Sequence, residues 1–294
     1  MRHLMKRALL GVALLALTSC GGGTSNDSSG ASVEFDYIHL QNNVNGFVTN
    51  DGDTAIAIGL QKGSSLKAGI DSYLSSLTPN YWTELMTNMA ALRNDSKATY
   101  SFTFNEDDIS QGVFKVGMEC AYDPFNWTQN NDANCGYPIT NVSGKFANGY
   151  DVQIARQVAD NLNMKLEIYQ YEWDALLPAV QSGAITAIVA GMSPTEERLK
   201  EIDFSSIYYQ SNLVVITRKE SRLLEFTSLS ELDQAGVKIA AQPGTFHLDA
   251  LKAQTSNLTV VDNLKDFVDM RIALEAGTID GYIAEEPTAL TFCN

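Results

Sequence analysis

Histidine is scarce in this chain. Among 294 residues there are 3, at His3, His39 and His247, and no spacing among them or the 4 cysteines suits zinc. No metal site is expected. Basic residues are also few: 20 Lys and Arg stand against 35 Asp and Glu, a formal charge of −15. A surface of that sign repels nucleic acid and anionic headgroups, so no nucleic-acid partner is expected. Beyond the N-terminus, no apolar run approaches the roughly 20 residues that a membrane span needs. A Gly-rich phosphate loop and a G-x-S-x-G elbow are both missing. No cofactor and no catalytic residue is expected.

What is present begins with an export signal. Met1–Arg7 is basic, Ala8–Ala16 is apolar, and Leu17-Thr-Ser-Cys20 precedes Gly21–Gly23. This resembles a bacterial lipobox, so residues 1–19 are expected to be removed and Cys20 to be lipidated. Loss of Arg2, Lys6 and Arg7 leaves the mature chain three charges more negative. Residues 20–32 are rich in Ser, Gly and Asn, a flexible tether with a reach of roughly 15–20 Å. The chain is thus expected on the extracytoplasmic face of a bacterial membrane. In that oxidising compartment Cys120 and Cys135 are candidates for a disulfide, with a free buried pair as the alternative. Cys293 is left over.

From residue 113 onward, strands alternate with helices. Val113–Gly117, Lys165–Tyr169 and Ala187–Ala190 read as strands, with helices over Gly149–Leu162 and Trp173–Ser182 between them. The apolar strands suit parallel sheets covered on both faces. Asn212–Thr217 reads as a crossover. A second set follows, with strands at Val237–Ala241, Leu258–Val261 and Ile279–Ala284 and a helix face made by Leu264, Phe267, Val268 and Ile272. That second set stops short of a return to the first. Residues 33–92 supply what it lacks: a strand at Val33–Tyr37, a second crossover at Thr54–Leu60, and helices through Leu66–Leu74 and Tyr81–Leu92.

The phrases Gly117-Met-Glu-Cys-Ala-Tyr-Asp-Pro-Phe-Asn-Trp127, Gly149-Tyr-Asp-Val152 and Glu172-Trp-Asp-Ala-Leu-Leu-Pro178 resemble the family 3 extracellular solute-binding proteins of bacterial ABC importers. So do Ala190-Gly-Met-Ser-Pro-Thr-Glu-Glu-Arg198, Ala241-Gln-Pro-Gly-Thr-Phe246 and Asp280-Gly-Tyr-Ile-Ala-Glu-Glu-Pro287. The resemblance implies an α/β, two-lobed, type II periplasmic-binding-protein-like fold, with two open α/β sheets joined by two crossover strands. The block order is expected to reflect a circular permutation, with two damaged tandem domains as the other reading. Lobe 1 is expected over 55–218, with 94–112 as the connector of the old termini, and lobe 2 over 33–54 plus 219–294.

The same resemblance assigns a ligand site. Arg198 would clamp an α-carboxylate, a task suited to its planar fork of donors. The other reading for Arg198 is an ion pair with Asp203 or Glu197. Backbone N–H groups at Thr245 and Phe246 would assist from a helix N-terminus. Glu285 would take the ammonium, with Glu286 facing away by strand alternation. Tyr122 and Trp173 would wall the ligand side chain, and Gly191 and Ser193 would touch its α-groups. Phe125 and Trp127 are either core or rim. Glu119 would meet the distal end and favour a cationic side chain. Ser193-Pro-Thr-Glu196 reads as a capping box that starts a helix after Ser193.

The function implied is capture of a free amino acid, Lys- or Arg-like first and Gln or another polar one second. A lipid-anchored monomer would deliver it to ABC permease subunits. An enzyme on the same fold, dehydratase-like, and a sensing subunit for a membrane partner are the alternatives.

Overall fold

A computed structural model describes residues 33–104 and 109–293, so the export signal, Cys20 and the tether lie outside the described residues. Strands β1 (Phe35–Ile38) and β2 (Ala55–Leu60) come first, followed by helices α1 (Lys67–Ser76) and α2 (Pro79–Asn94). Next come β3 (Val113–Met118), four short strands β4 (Ala121–Tyr122), β5 (Asn126–Gln129), β6 (Tyr137–Pro138) and β7 (Phe146–Asn148), and α3 (Tyr150–Asn161). Then follow β8 (Lys165–Gln170), α4 (Trp173–Gln181), β9 (Ala187–Ile188), α5 (Glu196–Glu201), β10 (Asp203–Gln210) and β11 (Leu213–Arg218). The remainder is α6 (Leu229–Leu232), β12 (Lys238–Ala240), α7 (Phe246–Gln254), β13 (Thr259–Val261), α8 (Phe267–Glu275), β14 (Gly281–Glu285) and α9 (Glu286–Phe292).

Two five-stranded sheets carry the fold, in the orders β8-β3-β9-β2-β10 and β13-β12-β14-β11-β1. Each has a parallel core, β8-β3-β9 and β13-β12-β14, flanked by antiparallel strands. Helices cover the strands, which is why β2 is buried at every residue and reads as an unbroken apolar run. Ile56, Ile58, Phe114 and Ile168 fill one core; Leu213, Val215, Ile239 and Ile283 fill the other.

The chain visits the second sheet twice. β1 lies at its edge, paired with β11, in the sheet that also holds β12. β2 then enters the first sheet between β9 and β10. Cys293, just past α9, forms a parallel bridge to Phe35 on β1. Residues 39–54 and 211–212 connect the sheets, and the two connections are tied together. Asn42 N–H donates to Asn212 Oδ1 (3.3 Å), and Leu213 N–H donates to Asn42 Oδ1 (3.2 Å).

Two expectations change. The lobe boundary expected at 218 falls at 211–212, because β11 hydrogen-bonds only within the second sheet and β10 completes the first. The apolar face of α8 is Phe267, Met270 and Leu274, while Val268 and Ile272 are exposed, at 36% and 53%. The spacing of 3 and 4 decides this: Phe267, Met270 and Leu274 stack on one side of the helix. The four-stranded sheet β4-β5-β7-β6 has strands too short to leave a periodic signal. Among the described residues, no helix is long and apolar enough to cross a membrane.

Candidate functional site

In open α/β sheets, ligand crevices lie off the carboxyl ends of strands where the order reverses. Here those points are between β3 and β9 in one sheet and between β12 and β14 in the other. One cavity lies between them, with Glu119 just past β3, Gly191 past β9, Gln242 past β12 and Glu285 ending β14. The nine candidates from sequence, Glu119, Tyr122, Trp173, Gly191, Ser193, Arg198, Thr245, Phe246 and Glu285, all line it. The free volume is only about 20 Å³, room for roughly one or two waters. A larger cavity of about 480 Å³ lies between α3 and the connector, away from the carboxyl ends of the strands.

Buried polar groups hold the first-lobe wall. Cys120, at φ 58°, donates its amide to Asn126 Oδ1 (2.8 Å), and Asn126 Nδ2 donates to Asp151 Oδ2 (2.8 Å). Tyr208 Oη donates to the other oxygen of Asp151 (2.7 Å). Burial pushes Asp151 up to about 6, against the pull of these donors. The network fixes the turn that presents Glu119 and Tyr122. Gly191 sits at φ 64°, and a Cβ there would come within 2.9 Å of Tyr122 Cε1. Glycine is needed for both reasons.

Arg198 spans the cleft. Its Nη1 donates to Ser193 O (2.9 Å) in the first lobe, and its Nη2 donates to Gly244 O (3.1 Å) in the second. The guanidinium lies 5.3 Å from the Trp173 ring centroid, and Trp173 Nε1 donates to the same Gly244 carbonyl (3.0 Å). Asp203 pairs with Lys62, and among the described residues no carboxylate forms an ion pair with Arg198. Burial lowers Arg198 to about 10, so it stays charged at neutral pH.

The two glutamates of the cavity, Glu119 and Glu285, are buried. Glu285 Oε1 meets His247 Nε2 at 2.9 Å, while Glu285 Oε2 and His247 Nδ1 have no hydrogen-bond partner. Burial raises Glu285 to about 8; burial and then the Arg198 charge lower His247 to about 4. Glu119 Oε1 accepts from Gln242 Nε2 (2.7 Å) across the cleft. Burial raises Glu119 to about 8, and the Gln242 donor opposes the rise. Tyr122 Oη is also buried without a partner.

The structure corrects several local readings. α5 is capped by Thr195, whose hydroxyl accepts from Arg198 N–H, and not by Ser193. The first helical bond runs from Leu199 N–H to the Thr195 carbonyl (2.9 Å), so Ser193 stands before the helix, its own carbonyl accepting from Arg198 Nη1. Cys120 and Cys135 are unbonded. Cys120 is buried behind the site, while Cys135 Sγ accepts from Phe102 N–H (3.2 Å) on the connector. Phe125 and Trp127 are core, 0% and 4% exposed.

Gln242, His247 and Phe267 also line the cavity and were not among the sequence candidates. Their neighbours in sequence gave the signal, since Gln242 and His247 flank Thr245–Phe246. Phe267 read as ordinary helix packing.

The family model for bacterial extracellular solute-binding proteins, family 3, matches residues 114–270. The chain is 30% identical over 180 residues to a probable histidine-binding protein of Campylobacter jejuni, covering 61% of this chain and 62% of that one. It is 27% identical over 147 residues to an ABC transporter glutamine-binding protein of Bacillus subtilis, covering 49% and 52%. The chain thus spans less than two thirds of the length of either relative. A crystal structure of an amino-acid ABC transporter substrate-binding protein from Streptococcus pneumoniae, bound to L-arginine, matches with TM-score 0.52 and 30% identity over 63% of this chain and 72% of that one. The chain belongs to the bacterial extracellular solute-binding proteins of family 3.

Proposed function

We propose that this protein captures a polar or basic L-amino acid between its two lobes and delivers it to the membrane subunits of an ABC importer. One observation carries the reading. Arg198 is charged with no carboxylate partner among the described residues, and Glu285 Oε2 is buried with no partner, in the same cavity. An α-amino acid brings the carboxylate for one and the ammonium for the other. The Thr245 and Phe246 amides add to the carboxylate side, Ser193 and Gly191 meet the α-groups, and Tyr122 and Trp173 border the side chain. Glu119 favours a cationic or hydrogen-donating end.

Closure follows from differential contact. Each lobe supplies part of the site, so the ligand stabilises the arrangement in which both parts reach it. Lipidation at Cys20 would keep the protein near its permease. A circular permutation accounts for the block order and is supported by β1 and β2, which complete sheets otherwise built from 113–285. The dehydratase-like reading draws on Glu119, a buried acid that burial raises to about 8. Recovery of chemically unaltered ligand after prolonged incubation would exclude it.

The test is a thermal-shift screen of the purified chain against the common L-amino acids, their D-enantiomers, and matched amines and carboxylic acids. Stabilisation is expected from one or a few L-amino acids and not from compounds lacking either α-group. A screen in which no L-amino acid raises the melting temperature would sink the reading.

A further inference from the structure

Tyr122 has no free face. Phe125 stacks on it at 4.9 Å and 28°, and Phe267 stacks on it at 4.0 Å and 12°. Two rings at those distances on one face would meet each other. Phe125 and Phe267 are not a ring pair, so they cover opposite faces. Phe125 is first-lobe core. Phe267 comes from the second lobe, as the first residue of α8, behind the Asp266 cap that accepts from Asp269 N–H (2.8 Å). Its ring is braced edge-on by His247 at 6.2 Å and by Tyr282 at 6.4 Å.

We propose that Phe267 is a specificity-determining residue. By closing the open face of Tyr122 from the opposite lobe, it excludes amino acids with ring-bearing side chains and admits those with linear polar ones. The inference rests on the amino-acid-binding reading above. A flat side chain needs a face to lie on. The Tyr122 and Phe267 rings are already at van der Waals contact, about 3.5–4.0 Å between carbons, so nothing enters between them while the lobes are closed. Holding them apart would forfeit the bonds that cross the same cleft, Gln242 to Glu119 and Arg198 to Gly244. A linear chain needs no ring face. It has only to pass Trp173, and its polar tip then takes the place of the direct Gln242–Glu119 bond by bonding both partners itself.

The experiment compares wild type, Phe267→Ala and Phe267→Leu by calorimetry and thermal shift with L-lysine, L-arginine and L-glutamine against L-histidine, L-phenylalanine and L-tyrosine. Wild type is expected to bind at least one linear ligand roughly tenfold or more tighter than any ring-bearing one. Phe267→Ala is expected to gain roughly tenfold or more for ring-bearing ligands relative to the linear one. Phe267→Leu, which keeps apolar volume but no flat ring, is expected to fall between, and decides the matter if the alanine variant does not fold. Wild type binding histidine or phenylalanine as tightly as its best linear ligand would overturn the proposal. So would a folded variant that binds the linear ligand but gains nothing for rings. If no variant binds any amino acid, the amino-acid reading itself fails and this inference fails with it.

Discussion

His247 and Glu285 share one buried hydrogen bond, 2.9 Å from Nε2 to Oε1, and leave Nδ1 and Oε2 unpartnered in the cavity. Burial favours the neutral form of each: Glu285 is raised to about 8 and His247 lowered to about 4. Without ligand, the pair is therefore expected to hold a proton where an incoming ammonium needs a carboxylate. Binding an amino acid near pH 7 is expected to release a proton to solvent, with affinity rising as pH approaches 8. Calorimetry in two buffers of different ionisation enthalpy reads the proton count directly. Glu285→Gln should abolish the release and weaken binding; an unchanged heat across buffers for wild type contradicts the assignment.

Arg198→Lys keeps the charge and removes the planar fork. If the guanidinium receives a carboxylate, affinity should fall roughly 10- to 100-fold, the range of a charge-assisted hydrogen bond of about 1.5–3 kcal/mol. Melting without ligand should fall as well, because the Ser193 and Gly244 carbonyls lose their charged donor. Equal ligand shifts in wild type and variant would mean that Arg198 is structural only.

Glu119 and Glu285 also set the pH dependence of the ligand-free protein. Their folded pKa values, about 8 for each, lie above the ordinary 4.5, so the folded state binds more protons between those limits. Their stabilisation is complete below 4.5 and lost as pH rises through 8. His247 acts in the opposite sense: its stabilisation is present above 6.5 and lost as pH falls through about 4. Between pH 6.5 and 8.5 only the carboxyls act, and the melting temperature of the ligand-free protein should fall. Glu119→Gln should flatten part of that fall; a slope identical to wild type would show that Glu119 does not titrate there.

Gly191→Ala tests the loop after β9. A left-handed non-glycine residue costs about 1–3 kcal/mol, and the added methyl would press on the Tyr122 ring. The urea midpoint should drop, and ligand affinity should drop with it, since Tyr122 borders the cavity. A midpoint equal to wild type would mean that the loop relaxes freely.

Much of this is legible in the sequence. The apolar runs at Thr54–Leu60 and Asn212–Thr217 read as strands, and the phrases around Glu119, Arg198 and Glu285 marked strand ends. Local signals were less sure. Ser193 and Thr195 both satisfy the rule for a helix cap, and Thr195 is the one whose hydroxyl and carbonyl meet the first-turn amides of Arg198 and Leu199. Asn212–Thr217 read as a crossover because a strand's own residues do not say which sheet it joins.

By itself, the order of residue types determined the alternation of elements, the buried strands and the candidate poles of the site, because periodicity and turn chemistry act over a few neighbours. Tertiary structure alone decided the pairs: His247 with Glu285, Gln242 with Glu119, Phe267 with Tyr122. Each joins residues between 38 and 145 positions apart, brought together only when the two sheets set their reversal points face to face. Burial at that meeting then set their charge states, a property that no residue has alone.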